Sequence, residues 1–506
     1  MPETIEIVQA AIEARAVSYR TRAGKVTVRD VSLTVGESEL VAIIGSSGSG
    51  KATLLAVMSG LRVPTSGTVL RDAAPGGHPA GSAPSRRAGY IPNGDTMYPV
   101  LPLARALRYT AELRGVPCTD EVTERALGLV GLAADAAAPA GALNPGERKR
   151  AAIAAELLAG PAQLYLDEPT AALDPAQATE VLRLLRRLSR GGTTVLLTTS
   201  SPLDAGRCDK VAVLAVGGHL AFFGTPAAAR GYFGADSLEE IYERLAGLGD
   251  PAAAWSRRFF HFSRTRAGFT LVPTTPRAAG PTVLVPDAAG PHSAGRPGPA
   301  FPGAPGAAED TGAEDAEDEA DDGEGESLFA APAAALCLPG AVAPARGAGP
   351  PRPVSQFSIL VRRNAEVIAR TRRTQAILAG VPVAILLAFC VLLGVGALDG
   401  PAAVTLSWAV LGGLAVGLAY QLPARGTDSG VLRGEVFPGL SAAAFVSAKA
   451  AVLLPLLAIA DALILAVPAA AGRLAGGFGP AYLAAAVSSV IGLAAALAVA
   501  VIVARR

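Results

Sequence analysis

The sequence predicts an α/β domain built on a mainly parallel sheet, followed by an all-α region of membrane-spanning helices. Between about residues 10 and 245, short apolar stretches of strand length alternate with longer stretches of helical periodicity, the pattern of a sheet with helical crossovers. Long uncharged runs occupy the last third and raise the mean hydropathy to +0.39, a high value for a soluble protein. A chain of 506 residues is too long for one compact core, so we expect two or three domains.

The elements of the first domain follow from local periodicity. Strands are predicted at residues 31–35, 40–44, 163–166, 194–198 and 210–214, and helical stretches include residues 101–114 and 175–189. Their alternation implies that the glycine-rich turn after residue 44 lies at the carboxyl end of a parallel strand.

This turn has the composition of a phosphate-binding loop. Residues 39–55 read ELVAIIGSSGSGKATLL, an apolar strand that ends in a glycine-rich turn and leads into a helix beginning near Lys51. Gly45, Gly48 and Gly50 allow successive N–H groups to point inward, and Lys51 supplies a positive charge, so a nucleoside triphosphate is the implied ligand. Ala52 replaces the hydroxyl residue of the usual pattern. The simpler alternative is an ordinary strand-to-helix turn.

A second segment favours the nucleotide site over that alternative. Residues 163–175 read QLYLDEPTAALDP, an apolar strand that ends in Asp167 and Glu168. This arrangement sets one carboxylate near the water shell of a metal ion and the next where it can polarise an attacking water. Both halves of the site also occur in the expected order.

Other features exclude several classes of protein. The formal net charge of +1 gives no indication of nucleic-acid binding. The four cysteines and four histidines are scattered, so we expect neither a zinc site nor a disulfide framework, and a reducing cytosol suits the first three cysteines. The first ten residues lack a basic stretch followed by an apolar core, so we expect no cleavable signal peptide.

The order of these motifs resembles the ATP-binding cassette of ABC transporters. The resemblance implies an α/β P-loop NTPase cassette at residues 1–248, followed by an all-α transmembrane helical domain. Residues 143–150 (LNPGERKR) stand in the place of the signature motif, and residues 173 and 174 match the loop after the second phosphate motif. Residues 220–234 (LAFFGTPAAARGYFG) and the GERKR ending are similar to the pigment-transporter, or G-type, branch, in which the cassette precedes the membrane domain.

The resemblance also implies roles for individual residues, with ATP and Mg²⁺ as cofactors. Glu168 would be the catalytic carboxylate, Asp167 would hold the metal through water, and Tyr19 would stack on adenine. The nucleotide-binding set is Tyr19, Gly45, Ser46, Ser47, Gly48, Ser49, Gly50, Lys51, Ala52, Thr53, Asn93 and Ser200. The signature residues are Leu143, Asn144, Pro145, Gly146 and Glu147.

Five positions depart from the family pattern. Ala52 stands for the metal-binding serine or threonine, and Asn93, within YIPNGD, stands for a glutamine that reaches the metal. Asn144 and Pro145 replace a serine and a glycine of the signature, where proline deletes a backbone donor, and Ser200 replaces the switch histidine. We therefore expect ATP to bind and hydrolysis to be slow. The alternative is a working ATPase that tolerates these substitutions.

Residues 249–353 are rich in proline, glycine and alanine and contain the acidic run 309–326, so we predict a disordered linker that acts as a solvated spacer rather than a partner-binding segment. Residues 354–376 then place apolar side chains at helical spacing beside a basic arginine face. This pattern predicts an amphipathic helix that lies along the membrane surface, and a bundle-packing helix is the alternative.

About four membrane spans are predicted within residues 377–506, at residues 377–398, 403–422, 445–470 and 481–504. The distribution of arginine and lysine predicts a multi-pass protein of the plasma (inner) membrane, with the cassette and both termini in the cytoplasm. Residues 421–449 are similar to the family's coupling segment. Because the G-type membrane domain has six spans, either the protein is truncated or another chain supplies the remaining helices.

Asp461 lies near the middle of the third predicted span. A carboxylate at this depth indicates a substrate path or the interior of the bundle, and a protonated interhelical contact is the alternative.

The whole pattern predicts an ABC-type exporter subunit in membrane lipid, working as a homodimer or as a heterodimer with another half-transporter. The alternative is a catalytically impaired, non-transporting ATP-sensing or assembly subunit. No nucleic-acid partner is expected, and the sequence does not identify the transported substrate.

Overall fold

The structure is a computed structural model that describes residues 10–71, 88–246, 252–266, 353–395, 402–420, 431, 440–472, 474 and 477–505. Several sequence predictions lie outside these residues. They include residues 267–352 of the predicted linker and residues 421–430 and 432–439 of the predicted coupling segment.

The described residues form one nine-stranded sheet in the order β4-β1-β2-β9-β8-β3-β7-β6-β5. The strands are β1 Ala10–Arg20, β2 Val26–Gly36, β3 Leu40–Gly45, β4 Ser66–Arg71, β5 Ala88–Ile91, β6 Gln163–Leu166, β7 Thr194–Thr198, β8 Lys210–Ala215 and β9 His219–Gly224. The centre, from β8 through β5, is parallel and confirms the predicted crossovers. β1 pairs antiparallel with β2 and β4, and β8 with β9, which the sequence did not predict.

Helices flank the sheet. They are α1 Lys51–Ser59, α2 Leu103–Leu113, α3 Asp120–Leu129, α4 Pro145–Leu157, α5 Pro175–Arg190, α6 Pro202–Gly206, α7 Pro226–Phe233, α8 Leu238–Ala246 and α9 Ala252–Arg266, with short 3₁₀ turns at Ala133–Asp135 and Ala140–Ala142. Of these, α3, α4, α5, α6 and α7 begin at a residue whose side chain caps the helix. At the start of α5, for example, Asp174 accepts a 2.8 Å hydrogen bond from the backbone N–H of Gln177, and Pro175 occupies the first turn.

The central strand β3 is buried on both faces of the sheet. Leu40, Ala42 and Ile44 belong to one apolar cluster, whereas Val41 and Ile43 belong to the cluster on the other side. Alternate side chains of a strand point to opposite faces, so a continuous apolar run is required where helices cover both. This burial fixes the carboxyl end of β3, where the glycine-rich turn begins.

The first part of the predicted linker is ordered in the structure. α9 packs the rings of Trp255, Phe259 and Phe262 against Tyr232 and Phe233, with ring centroids 4.9 Å apart for Trp255–Phe233 and for Phe262–Tyr232. Residues 252–266, predicted from the sequence to lie in the disordered linker, are therefore helical. The aromatic spacing gives one apolar helical face, which the proline- and glycine-rich composition of the longer segment obscured.

The C-terminal region is helical, with α10 Pro353–Arg370, α11 Arg372–Gly394, α12 Ala402–Ala419, α13 Ala442–Ala470 and α14 Phe478–Arg505. Within the described residues, three helices, α11, α13 and α14, are long and apolar enough to cross a membrane, and α12 is a shorter apolar helix. The predicted amphipathic helix 354–376 is interrupted, because Thr371 is extended and caps α11. Arg372 and Arg373 therefore belong to the first turn of the first membrane helix.

α12 and α14 approach each other closely through glycine. A β-carbon placed at Gly417 would lie 2.1 Å from the carbonyl oxygen of Ser489, and one at Gly413 would lie 2.5 Å from that of Ala485. Gly492 on α14 makes the reciprocal approach to Leu414. Small residues spaced four apart allow this backbone contact between membrane helices.

The cassette and the C-terminal helices share an apolar core, which we call the interdomain cluster. It consists of Tyr98, Leu101, Ala106, Tyr109, Leu113, Ile359, Leu360, Val431, Ala444, Phe445 and Ala448. The first five belong to the cassette, and Val431, Ala444, Phe445 and Ala448 fall within the segment predicted to couple the two domains. The described part of that segment therefore shares an apolar core with α2 and α10.

Candidate functional site

The turn between β3 and α1 has the geometry of an anion cradle. Gly45, Gly48 and Gly50 have φ values of 147°, 79° and 98°. A β-carbon at Gly45 would lie 2.3 Å from the carbonyl oxygen of Leu214, and one at Gly50 would lie 2.2 Å from that of Thr27, so both positions require glycine. Lys51 begins α1 and donates a 2.7 Å hydrogen bond to the carbonyl of Gly45. The N–H groups at this helix N-terminus suit a phosphate.

The two predicted carboxylates lie beside this cradle, at the end of β6. Thr198, at the end of the neighbouring β7, donates to Asp167 Oδ1 at 2.7 Å and accepts from the backbone N–H of Glu168 at 2.9 Å. Glu168 has a φ of 47°, a left-handed conformation that is unfavourable for a side chain of its size. Lys51 Nζ lies 4.0 Å from Glu168 Oε1. The structure therefore brings Lys51, Asp167 and Glu168 into one site.

Burial sets the electrostatics of Asp167. It raises the pKa of this carboxyl, the Thr198 hydrogen bond opposes the rise, Glu168 adds to it, and Lys149 and Lys51 oppose it. Burial also lowers the pKa of Lys149, against the opposing charges of Asp95 and Asp167. Without a bound ligand, the charged form of Asp167 is thus destabilised by burial. A bound cation would offset this desolvation.

The substituted positions can be placed around these groups. Ser200 donates a 2.7 Å hydrogen bond to Glu168 Oε1. Ala52 is exposed on the first turn of α1, and Asn93 is exposed after β5. The cradle also contains Ser46, Ser47 and Ser49, and Thr53 lies in the first turn of α1. With carboxylate oxygens available and no hydroxyl at residue 52, the donor set fits an ion that keeps most of its waters, as Mg²⁺ does.

Tyr19 lies on β1 and is half-buried. The guanidinium carbon of Arg62, which follows α1, lies 5.5 Å from the centroid of the Tyr19 ring. This contact is a cation–π interaction that fixes the ring. Stacking of Tyr19 on adenine stays a prediction.

The signature residues lie on a different helix, at the start of α4. Asn144 caps this helix: its Oδ1 accepts from the N–H of Glu147 at 2.9 Å, while Glu147 Oε2 accepts from the N–H of Asn144 at 2.8 Å. Pro145 fills the first helical position, Gly146 is buried against Gln177, and Leu143 is buried in the core. This reciprocal capping box occupies two of the donors at the helix end. A phosphate approaching it would also meet the Glu147 carboxylate.

Asp461 lies within α13 and is buried, with 1% of its surface exposed. Its Oδ1 accepts a 2.8 Å hydrogen bond from the hydroxyl of Ser489 on α14. Among the described residues, Oδ2 has no hydrogen-bond partner. The carboxyl group therefore joins two membrane helices, which suits both the interhelical contact and the bundle-interior interpretation.

Sequence reasoning missed several residues that shape the site. Thr198 ends a parallel strand next to β6, so its position at the carboxyl edge was a usable signal. Lys149 lies within the GERKR ending, but its side chain points toward the nucleotide site. Its Nζ donates to the carbonyl of Pro92 at 3.4 Å. Nothing in the local sequence indicates that Lys149 lies near Asp167.

A second set of polar contacts joins the cassette to α10. Glu366 Oε2 accepts from the Tyr109 hydroxyl at 2.7 Å and from Arg105 at 3.2 Å, and Oε1 accepts from Arg370 at 3.0 Å. Burial acts to raise the pKa of Glu366, but the hydrogen bonds from Tyr109, Arg105 and Arg370 outweigh it and hold the pKa below the usual range. Burial and Glu366 raise the pKa of Tyr109 to about 12, so this phenol stays a donor.

Comparisons with known proteins agree with this geometry. A family model described as ABC transporter matches residues 28–171. The chain is 36% identical over 251 residues to the ABC transporter ATP-binding/permease protein Rv1747 of Mycobacterium tuberculosis, covering 49% of this chain and 29% of that protein. It is 38% identical over 218 residues to the lipoprotein-releasing system ATP-binding protein LolD of Bordetella avium, covering 40% of this chain and 92% of that protein.

A third relative is the human ATP-binding cassette sub-family G member 5, 35% identical over 226 residues, with 41% of this chain and 33% of that protein covered. The matched region thus spans about a third of the G-family and permease relatives and nearly all of the LolD cassette. The α/β P-loop NTPase cassette expected from the sequence is confirmed. The chain belongs to the ABC transporter family, and it joins an ATP-binding cassette to a helical region whose apolar helices fit a membrane domain.

Proposed function

We propose that this chain is a subunit of an ABC-type exporter that binds ATP, hydrolyses it slowly and passes the resulting motion to its membrane helices. The observation that carries the proposal is the contrast within the cassette. The cradle, Lys51 and Glu168 are assembled for a triphosphate, whereas the signature end is closed by the Asn144–Glu147 capping box.

Binding would use the intact half of the site. The backbone N–H groups after Gly45 and the ammonium group of Lys51 would hold the β- and γ-phosphates. Asp167 would hold Mg²⁺ through water, and the ion would neutralise charge that develops on the phosphates. Glu168, held by Ser200, would orient or deprotonate the attacking water.

Slow hydrolysis follows from what the substituted residues cannot supply. Ala52 has no oxygen for the metal, and Ser200 is shorter than histidine and is already bonded to Glu168. In the family two cassettes pair head to tail, so one chain's signature completes the other chain's site. Here Pro145 and the capping box leave fewer donors for the γ-phosphate of a partner. Both composite sites of a homodimer would be weakened.

The interdomain cluster supplies a route for coupling. Closure of the cassettes would move α2, which contacts α10 through Glu366 and shares the interdomain cluster with Phe445 at the start of α13. Rigid elements packed in this way can transmit a small displacement. We place the cassette and both termini in the cytoplasm, with a second half-transporter, identical or different, completing the complex in membrane lipid.

The test is Mg²⁺-dependent ATP hydrolysis by the full-length protein in lipid. The wild type is compared with Glu168→Gln and with a repaired variant that carries Ala52→Ser, Asn144→Ser and Pro145→Gly. ATP binding to each is measured separately, so that lost turnover can be told from lost binding. We expect slow wild-type turnover, a further fall of ~10²-fold or more for Glu168→Gln, and at least a tenfold rise for the repaired variant.

Rapid wild-type turnover that the repair does not increase would show that the substitutions are tolerated. Absence of ATP binding would overturn the proposal. A third result, ATP binding with wild-type turnover equal to that of Glu168→Gln, would support a second candidate function, a non-transporting ATP-sensing or assembly subunit. The capping box across Asn144 and Glu147 is the observation that favours this second candidate.

A further inference from the structure

A tyrosine with a buried hydroxyl lies beside the phosphate-binding loop, and the proposed mechanism does not use it. Tyr242 is on α8, which packs against α6 and α7, and its ring is half-buried against the core cluster that contains Ala42 and Ile44 of β3. Its hydroxyl oxygen is fully buried and has no hydrogen-bond partner among the described residues. An unpaired buried hydroxyl is unfavourable, so it requires an explanation.

The neighbours of this hydroxyl belong to the nucleotide site. The backbone N–H of Gly45 lies beside the Tyr242 hydroxyl, and the Glu168 carboxylate lies within its electrostatic reach. On the loop itself, the hydroxyl of Ser49 is also buried and unpaired in the described structure. A β-carbon at Gly45 would lie 2.7 Å from Ser49 Oγ, so this second hydroxyl lies against the same glycine.

Two unpaired hydroxyls thus face the first glycine of the loop from two elements. Burial raises the pKa of Tyr242 to about 12, the Gly45 N–H opposes the rise, and the carboxylates of Glu168, Glu239 and Asp204 add to it. The phenol therefore stays protonated at neutral pH and can donate a hydrogen bond. A buried phenol that lacks an acceptor can gain one from the neighbouring loop when that loop changes shape.

We propose that Tyr242 is a positioning residue of the nucleotide site, whose hydroxyl hydrogen-bonds the Gly45–Ser49 loop when the loop closes around a triphosphate. The inference rests on the proposed function, in which this loop binds ATP. In this role Tyr242 acts on the loop and not on the nucleotide. It holds the loop in the ATP-bound shape and links that shape to α8, the last helix before α9.

Tyr232 provides a matched control. Its hydroxyl is also buried and unpaired among the described residues, and burial raises its pKa to about 12, with Arg258 opposing the rise. Its neighbours, however, are the rings of Phe233, Trp255 and Phe262 rather than the loop. Removing either hydroxyl removes one unpaired buried oxygen, but only Tyr242 lies beside Gly45.

The experiment uses the full-length protein in detergent on a Glu168→Gln background, which prevents turnover during titration. Affinity for Mg²⁺-ATP and the thermal midpoint without nucleotide are measured for this background and for added Tyr242→Phe or Tyr232→Phe. We expect Tyr242→Phe to weaken ATP binding about 5- to 10-fold, the effect of one lost hydrogen bond, while the nucleotide-free midpoint stays the same or rises. Tyr232→Phe should change the affinity less than twofold.

Unchanged ATP affinity in Tyr242→Phe would overturn this inference alone and leave ATP binding intact. A lower nucleotide-free midpoint in Tyr242→Phe, with an equal loss of affinity in Tyr232→Phe, would also overturn it, because it would indicate a general packing role. If the background protein itself binds no ATP, the proposed function fails, and this inference fails with it.

Discussion

Asp167 and Glu168 are consecutive residues, yet the structure gives them different surroundings. Asp167 is buried and held by Thr198, whereas Glu168 reaches toward Lys51 and Ser200 from a left-handed backbone position. The backbone conformation of Glu168 is unfavourable by itself, and the hydrogen bond from its N–H to Thr198 helps to maintain it. Neighbouring carboxylates in distinct environments can take distinct roles, one holding a metal and the other acting on water.

The raised pKa of Asp167 leads to a stability prediction. Because the native pKa lies above the ordinary value, ionisation of Asp167 destabilises the nucleotide-free protein as the pH rises from about 4 through the raised pKa. We expect Asp167→Asn to raise the thermal midpoint at pH 7 by roughly 2–4 °C, which corresponds to about 1 kcal/mol. This gain should disappear as the pH falls toward 4, where the wild-type carboxyl is also neutral.

The measurement is thermal unfolding of the full-length protein from pH 4 to pH 8 without nucleotide. Glu124→Gln, on the exposed face of α3, is the control and should change the midpoint little at any pH. A midpoint lower than that of the wild type at pH 7 would show that the Asp167 charge is stabilised by Lys149 and Lys51 more than it is penalised by burial.

The residues that form the phosphate-binding loop and the two carboxylates could be predicted from the sequence. The residues that hold them in place could not. The glycine spacing, Lys51 and the two carboxylates follow from local sequence because the loop and the strand end are short, contiguous motifs. Thr198 and Tyr242 act through contacts with residues 30 or more positions away. Such contacts depend on strand order and helix packing, which periodicity alone does not encode.

At the scale of elements, α2 is the helix that joins the two domains. Leu103, Leu107 and Ala111 face the cassette core, whereas Ala106 and Tyr109 face the interdomain cluster. The apolar periodicity predicted a helix at residues 101–114 but not its second buried face. A helix packed on two sides at once has little freedom to move alone, so α2 and α10 should move together.

The contacts of Glu366 test this linkage. Glu366→Gln removes the charge that Tyr109, Arg105 and Arg370 share, and we expect a loss of about 1–2 kcal/mol in the free energy of unfolding at pH 7. Since the folded pKa of Glu366 lies below its usual range, this contribution is present above the ordinary carboxyl pKa and is lost as the pH falls through the lowered value. Denaturant unfolding of the full-length protein at pH 7 and at a series of falling pH values measures both effects.

The neighbouring pair across the same interface is the control. Arg362 donates to Glu112 at 2.8 Å, but the Arg362 side chain is 63% exposed, so Glu112→Gln should cost less than half as much. Equal effects of the two substitutions would show that Glu366 has no special place in the interface.

At the scale of the whole molecule, the number of membrane crossings decides on which side the C-terminal end of α14 lies. Hydropathy predicted four spans, and the described structure has three long apolar helices with the shorter α12 between α11 and α13. The 18 residues of α12 rise about 27 Å, slightly less than a hydrocarbon core of ~30 Å. Hydropathy measures apolarity but does not reveal that α12 lies against α14 through Gly413 and Gly417.

Close packing of α12 on α14 favours a full crossing, because two helices in backbone contact along their length share one depth in the bilayer. Four crossings return the C-terminal end of α14 to the side of the cassette, whereas three would leave it on the opposite side. We expect a reporter that is active only in the cytoplasm to be active when fused after Arg506 and inactive when inserted after Gly472, between α13 and α14.

Gly417→Leu, which places a side chain where even a β-carbon would lie 2.1 Å from the Ser489 carbonyl oxygen, should separate α12 from α14 and reduce the signal of the C-terminal fusion. Gly380→Leu on α11, where an added β-carbon meets no atom within 4 Å, should leave that signal unchanged. An inactive C-terminal fusion in the otherwise unaltered protein would mean that α12 does not cross the membrane and that the chain has three spans.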